Sequence, residues 1–264
     1  MTSNDKQASA SDNLTRKQRR AAERAARKQN GGKITAPKSS GGRPGPSILI
    51  VSAIAVVAGL ALVAVLVLLS GGLGNDAAAV SDPDSPAPAQ ELRQGRTLVA
   101  PDASPSVVVE VFEDAQCPHC QDFTKTVEPL LIAKHVTSGT ASLTYRDYII
   151  FGEKSLDAAV AMRAADELGD AFWDYHHVLY YNAPDGSFSR SWLADIAEVV
   201  GLDRTEFEQL LDDNELIDAV GEDITRAAGY GISSTPSVVI NGELLGTPSW
   251  NELDAAIEAA AAGE

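Results

Sequence analysis

Apolar residues fall into three patterns along the chain. The first is one uninterrupted block, "ILIVSAIAVVAGLALVAVLVLL" from Ile48 to Leu69, and no charge occurs anywhere from Pro44 to Asn75. As a helix rising about 1.5 Å per residue, this block is roughly 33 Å long, close to the hydrocarbon thickness of a bilayer. Residues 47–69 are therefore predicted to cross a membrane. The second pattern is short runs of β-branched residues. "SVVVEVFED" predicts a buried strand ending in acidic residues, "ASLTYRDYII" a second strand, and "RTLVAP" a short leading strand. "PSVVING" and "ELLG" predict a hairpin turning at Asn241-Gly242. The third pattern is helical spacing. Phe123, Val127, Leu130 and Leu131 predict a helix after the first strand, kinked or divided at Pro129. From Ser155 to about Gly229 the spacing predicts four or five helices with Gly and Asn-Ala-Pro-Asp-Gly breaks. "SWNELDAAIEAAAA" predicts a closing helix, with Ser249 and Glu252 at capping-box spacing. The order is βαβ, a helical block, ββ, α. That is an α/β arrangement: a parallel pair and an antiparallel hairpin with helices packed on one sheet.

Charge divides the chain of 264 residues into unlike parts. Residues 1–46 hold 11 Lys+Arg against 3 Asp+Glu, which leaves 10 of the 21 basic and 34 of the 37 acidic residues to the remainder. The positive-inside rule puts the basic head, 1–46, in the cytoplasm as a largely disordered segment, and the acidic body outside. A cleaved signal peptide is the competing reading, with Ala77-Ala78-Ala79 as a peptidase site. The apolar block and the head are both too long for one. The head reads as a topology signal rather than a nucleic-acid-binding arm, so no nucleic-acid partner is expected. Residues 70–94, rich in Gly, Ala, Ser, Pro and Asp, predict a flexible stalk. The folded domain is then expected at 95–262, with its helical insertion at about 155–229.

Candidate chemistry lies in Cys117-Pro118-His119-Cys120, which contains both cysteines of the chain. A zinc site needs four ligands, and one Cys-x-x-Cys supplies two, so no metal site is assigned. Haem attachment requires His after the second cysteine, where Gln121 stands. A structural staple across two intervening residues removes little chain entropy. A redox pair remains the leading reading. Placed at a helix N-terminus, Cys117 meets unpaired N–H groups that favour its thiolate and make it the nucleophile. Cys120, one turn in and more buried, is its partner. Pro118 suits the first helical turn, and His119 adds a donor near the Cys117 sulfur.

These residues resemble the DsbA-type thiol oxidases of the thioredoxin superfamily. "AFWDYHHVLYYN" is similar to that family's Phe-Trp-x-x-His helix, and "GYGISSTPSVVINGELLGTPSWNELDAAIE" to its closing half. The resemblance implies a thioredoxin fold with an inserted all-helical subdomain, preceded here by one transmembrane helix. It implies that Thr235 and Pro236 face the cysteines, with Pro236 cis, and help bind substrate peptide. It also implies an extracytoplasmic dithiol oxidase that needs no cofactor beyond the Cys117–Cys120 disulfide. Such an enzyme passes that disulfide to exported cysteine-containing proteins and is reoxidised by a DsbB-like or VKOR-like membrane protein. An isomerase or reductase on the same scaffold, and a non-catalytic binding module, are the alternatives. Two departures stand out. Many relatives carry a buried glutamate six positions before the first cysteine, where this chain has Val111, with Glu110, Glu113 and Asp114 nearby. Ser234 precedes Thr235-Pro236 where many relatives have glycine.

Other candidates read as structural. One of His176 and His177 is expected on a core face and the other toward solvent. Phe172, Trp173, Tyr175 and Trp192 are expected in the core. Asp212, Asp213 and Glu215 lack the glycine and bidentate partner of a calcium loop.

Overall fold

The computed structural model describes residues 80–183 and 188–263. The basic head, the span predicted over 47–69 and the first ten residues of the predicted stalk lie outside them. Among the described residues no helix is long and apolar enough to cross a membrane.

Six strands form one sheet in the order β1-β2-β4-β3-β5-β6. The central strand is β3 (Val107–Glu113), and it pairs in parallel with β4 (Ala141–Asp147), so Glu113 stands beside Asp147 at their carboxyl ends. On its other side β3 runs antiparallel to β5 (Ser237–Ile240), which pairs with β6 (Glu243–Gly246). The β5–β6 turn is Asn241-Gly242, both with positive φ, as a tight two-residue hairpin demands. β1 (Arg93–Gln94) and β2 (Thr97–Leu98) extend the sheet along the far edge of β4. The parallel pair and the antiparallel hairpin thus form as their patterns predict. The second strand ends at Asp147, three residues short of the apolar run, because Ile150 and Phe151 belong to an exposed loop.

The connection between β3 and β4 is helix α1 (Pro118–Thr126), then α2 (Glu128–Leu131), then a π-turn over Ile132–Val136. Pro129 divides the helix: its ring removes a backbone donor, and Val127 becomes the boundary residue. The insertion comprises α3 (Glu153–Gly169), α4 (Phe172–Asn182), α5 (Arg190–Val199), α6 (Arg204–Leu210) and α7 (Asn214–Gly229). Asp203 and Asp213 cap α6 and α7, so the acids around 212–215 serve as a cap and as the partner of Arg190 rather than as a cation loop. Phe172, Trp173, Tyr175, Tyr180, Trp192 and Phe207 are buried and form the insertion's core. Each such ring removes 150–250 Å² from water, roughly, and rings dominate core energetics. Helix α8 (Trp250–Ala262) closes the fold, and its capping box between Ser249 and Glu252 forms as predicted.

Two expectations need correction. The stalk does not extend to residue 94. Ser81 bonds the Asn182 side chain through both its backbone and its hydroxyl, Arg93 pairs with Asp174 at 2.6 Å, and Leu92 is buried. The segment from 80 onward is therefore a strap laid over α4. The second correction follows from the first: His177 does not face solvent. The strap covers it, and the Ser85 carbonyl lies 2.7 Å from its Nε2, so both His176 and His177 are buried.

A buried ion-pair network joins insertion to sheet. Asp223 on α7 accepts from Arg96, Arg146 and Arg163 and from the backbone N–H of Asp147. Arg163 also pairs with Asp147, while Glu110, on the opposite face of β3 from Glu113, holds Arg146, Arg226 and the Tyr230 hydroxyl.

Candidate active site

The cysteines sit where the chain leaves the carboxyl end of β3. Asp114 organises the turn. Its carboxylate accepts from the Gln116 backbone N–H and the Ser155 hydroxyl through one oxygen, and from the N–H groups of Ile150 and Phe151 through the other. Its carbonyl accepts from the Cys117 N–H at 2.9 Å. One side chain therefore fixes both the reactive turn and the neighbouring loop after β4.

Cys117 is the N-cap of α1 and Pro118 is the first helical residue, as predicted. At that position the first N–H groups of the helix have no intrahelical acceptor and point toward the cap side chain. Both cysteines are free thiols; Cys117 is 3% exposed and Cys120 is fully buried. The Cys117 thiol is held down to about 5. The Cys120 thiol, which hydrogen-bonds the Cys117 sulfur, is the largest cause. Burial opposes the shift, and the Thr235 hydroxyl and the backbone N–H groups of Cys120 and His119 support it. Cys120 moves the other way. Burial drives its thiol far up, reinforced by the Cys117 sulfur and by the charge of Glu113. The two sulfurs are thus unlike: one is a ready thiolate and leaving group, the other a thiol that resists ionisation.

The loop before β5 brings Thr235 and Pro236 to this pair. The Thr235–Pro236 bond is cis, and the Thr235 carbonyl lies 3.5 Å from Cys117 Sγ. The Thr235 hydroxyl is buried without another hydrogen-bond partner, which leaves it to the sulfur. Of the residues singled out in the sequence, Cys117, Cys120, Thr235 and Pro236 converge. Pro118 and His119 lie exposed at the rim, and His119 reaches Cys117 through its backbone N–H.

Three further groups join the site: Glu113, named in the sequence only as one of several nearby acids, His176, read there as structural, and Glu128, not singled out. Glu113, four residues before Cys117, is buried, and neither carboxylate oxygen has a hydrogen-bond partner in good geometry. Burial pushes its carboxyl up to about 8; the approaching Tyr180 hydroxyl opposes the shift and the nearby Cys117 sulfur adds to it. His176 places Nε2 3.8 Å from Glu113 Oε2, and burial lowers its basicity. Glu128, also buried, is raised to about 7, mainly by burial. An acid at the carboxyl end of an otherwise apolar strand, four residues before the first cysteine, was the available signal for Glu113. No three His, Cys, Asp or Glu side chains converge in metal-holding geometry among the described residues.

The sheet order is that of a thioredoxin fold, and it sets the Cys-Pro-His-Cys helix N-terminus against the Thr235-Pro236 loop. Comparison with known proteins agrees on the fold and on the protein-disulfide oxidoreductase class. The family model described as Thioredoxin matches residues 94–259, and the chain belongs to that family. It is 25% identical over 158 residues to a putative protein-disulfide oxidoreductase of Rickettsia felis, spanning 58% of this chain and 56% of that protein. It is 26% identical over 159 residues to disulfide bond formation protein D of Bacillus subtilis, spanning 58% of this chain and 70% of that one. The crystal structure of oxidised BdbD from Bacillus subtilis superposes with a TM-score of 0.59 at 23% identity, covering 69% of this chain and all of that one, a likeness of fold.

Proposed function

We propose that this chain is an extracytoplasmic thiol:disulfide oxidoreductase of the DsbA type, working as a dithiol oxidase. The observation that carries this reading is the placement of the two sulfurs, Cys117 on the N-cap of α1 against Thr235 and Cys120 fully buried one turn on, which favours the thiolate of the first and the thiol of the second. A substrate thiolate attacks Cys117 Sγ of the disulfide form. The S–S bond breaks, its electron pair goes to Cys120, and the substrate is held as a mixed disulfide on Cys117. The substrate's second thiolate then attacks its own sulfur in that mixed disulfide. The substrate leaves oxidised, and Cys117 leaves as a stabilised thiolate. Because the reduced form is the stabilised one, electrons flow toward the enzyme. Glu113, protonated at neutral pH, supplies the proton that Cys120 needs when it leaves. Thr235 and Pro236 line the place where substrate backbone approaches, in the manner of strand addition. Substrates are exported cysteine-containing proteins, and a DsbB-like or VKOR-like membrane protein restores the disulfide. Residues 47–69 anchor the enzyme in the bilayer.

The test is the equilibrium of the Cys117–Cys120 pair with glutathione buffers. A potential well above thioredoxin's value of about -270 mV, toward the value of about -120 mV known for DsbA, is expected. A value near thioredoxin's would assign the protein to reduction instead.

A further inference from the structure

Glu113 is sealed from water. It is 1% exposed, its oxygens have no hydrogen bond of good geometry although the Tyr180 hydroxyl approaches them, and the groups around it are the Cys117 and Cys120 sulfurs at the start of α1, Glu128 of α2, Tyr145 and Asp147 of β4, and His176 and Tyr180 of α4. An unsatisfied buried polar group costs stability, so its retention asks for a reason. His176 is the same kind of group. Its Nε2 is buried without a partner, 3.8 Å from Glu113 Oε2, about 1 Å longer than an ordinary hydrogen bond. Aromatic rings enclose the imidazole, with Tyr180, Tyr145 and Trp173 centroids at 4.6, 5.2 and 5.3 Å. The Tyr145 and Tyr180 hydroxyls face each other at 3.3 Å. Glu128 interacts electrostatically with both His176 and Glu113, and at 6% exposure it is the one of the three nearest to water.

We propose that His176 and Glu128 conduct protons between solvent and Glu113, so that the buried sulfur of the redox pair is served by a path Glu128–His176–Glu113–Cys120. The proposal rests on thiol–disulfide exchange at this pair. When a substrate thiolate bonds to Cys117 and the S–S bond breaks, Cys120 receives the electron pair as a thiolate. Glu113 gives it a proton and becomes a carboxylate. The imidazole of His176 passes one proton to Glu113 and takes one from Glu128, which recovers its own from water. Reoxidation runs the same path outward. The transfer requires the 3.8 Å gap between Nε2 and Oε2 to close by about 1 Å. No hydrogen bond joins His176 or Glu128 to either sulfur, so both act through Glu113.

The experiment is single-turnover reduction of the oxidised full chain by dithiothreitol, followed at several pH values, in light and heavy water, and with added imidazole. The variants are H176F, which keeps a ring in the aromatic shell, and E128Q, which is nearly isosteric. Each variant is expected to slow the turnover about tenfold or more, the low side of what positioned acid–base groups supply. Each is also expected to show a larger solvent isotope effect than the wild type and to regain rate as imidazole is added. Alkylation of reduced Cys117 should stay within about twofold of wild type. Wild-type rates that ignore imidazole in both variants would overturn the proposal. If the variants fold poorly, the wild-type rate in mixed light and heavy water decides: a curved dependence on deuterium fraction supports a chain of protons, and a straight line overturns it. A wild type that does not react with the dithiol overturns the exchange reading as well.

Discussion

Cys117→Ser will reduce oxidation of an unfolded dithiol protein to the uncatalysed background, a loss on the order of 10³-fold or more, as removal of a catalytic nucleophile gives. A serine oxygen cannot form the S–S bond that holds the substrate, and at neutral pH it is not ionised. Cys120→Ser separates the two roles. It leaves the Cys117 thiolate on the helix N-cap, so a substrate disulfide can still be attacked, but nothing inside the enzyme then resolves the mixed disulfide. That variant should therefore accumulate with substrates attached through Cys117. Loss of free thiols from the substrate measures the first effect, and non-reducing electrophoresis the second. Unchanged oxidation by Cys117→Ser would leave the domain as a binding module on a redox fold.

Asp223→Ala is expected to destabilise the protein by about 3–5 kcal/mol, the cost of breaking a buried ion-pair cluster by removing one partner. Asp223 accepts from all three of Arg96, Arg146 and Arg163, and the last of these is 8% exposed. Without it three guanidinium groups compete for Asp147 and Glu110. The denaturant midpoint of the full chain reads the effect, with an unchanged slope showing that stability rather than compactness has moved. Because Asp223 belongs to α7 and Arg146 and Asp147 to β4, the loss should also loosen the insertion from the sheet. A change within about 0.5 kcal/mol, ordinary for a surface substitution, would mean that the cluster is not holding the two parts together.

Local features of this fold were legible because local rules set them. The Asn241-Gly242 hairpin, the Ser249–Glu252 capping box, the break at Pro129 and Cys117 ahead of a Pro118-led helix all follow from spacings of a few residues. What stayed hidden depends on distant partners. β3 is covered on both faces, so Glu110 and Glu113 are both buried and period-two alternation gives no hint which acid lies under the sulfurs. Glu110 is satisfied by arginines 36 and 116 residues away, while Glu113 has no hydrogen bond of good geometry, only the approach of the Tyr180 hydroxyl. His177 misled for a similar reason. Its helical position is outward, and only the strap arriving from Ser85, 92 residues earlier, buries it. Asp114 was visible as an acid next to the motif, but its hold on Ile150 and Phe151 depends on the loop after β4.

Oxidation by this pair depends on the ionisation of Cys117. Its folded value, about 5, lies below the usual free-thiol value of about 8.5. The thiolate therefore stabilises the reduced fold fully above about pH 8.5, and that stabilisation is lost as pH falls through about 5. Forming the disulfide removes it, which is why oxidised enzyme gives up its bond readily. Following ultraviolet thiolate absorbance of the reduced protein against pH, with Cys117→Ser as the blank, measures this directly. A midpoint near 5 is the predicted result; a midpoint near 8.5 would contradict the assignment of Cys117 as a stabilised leaving group, and with it the oxidase reading.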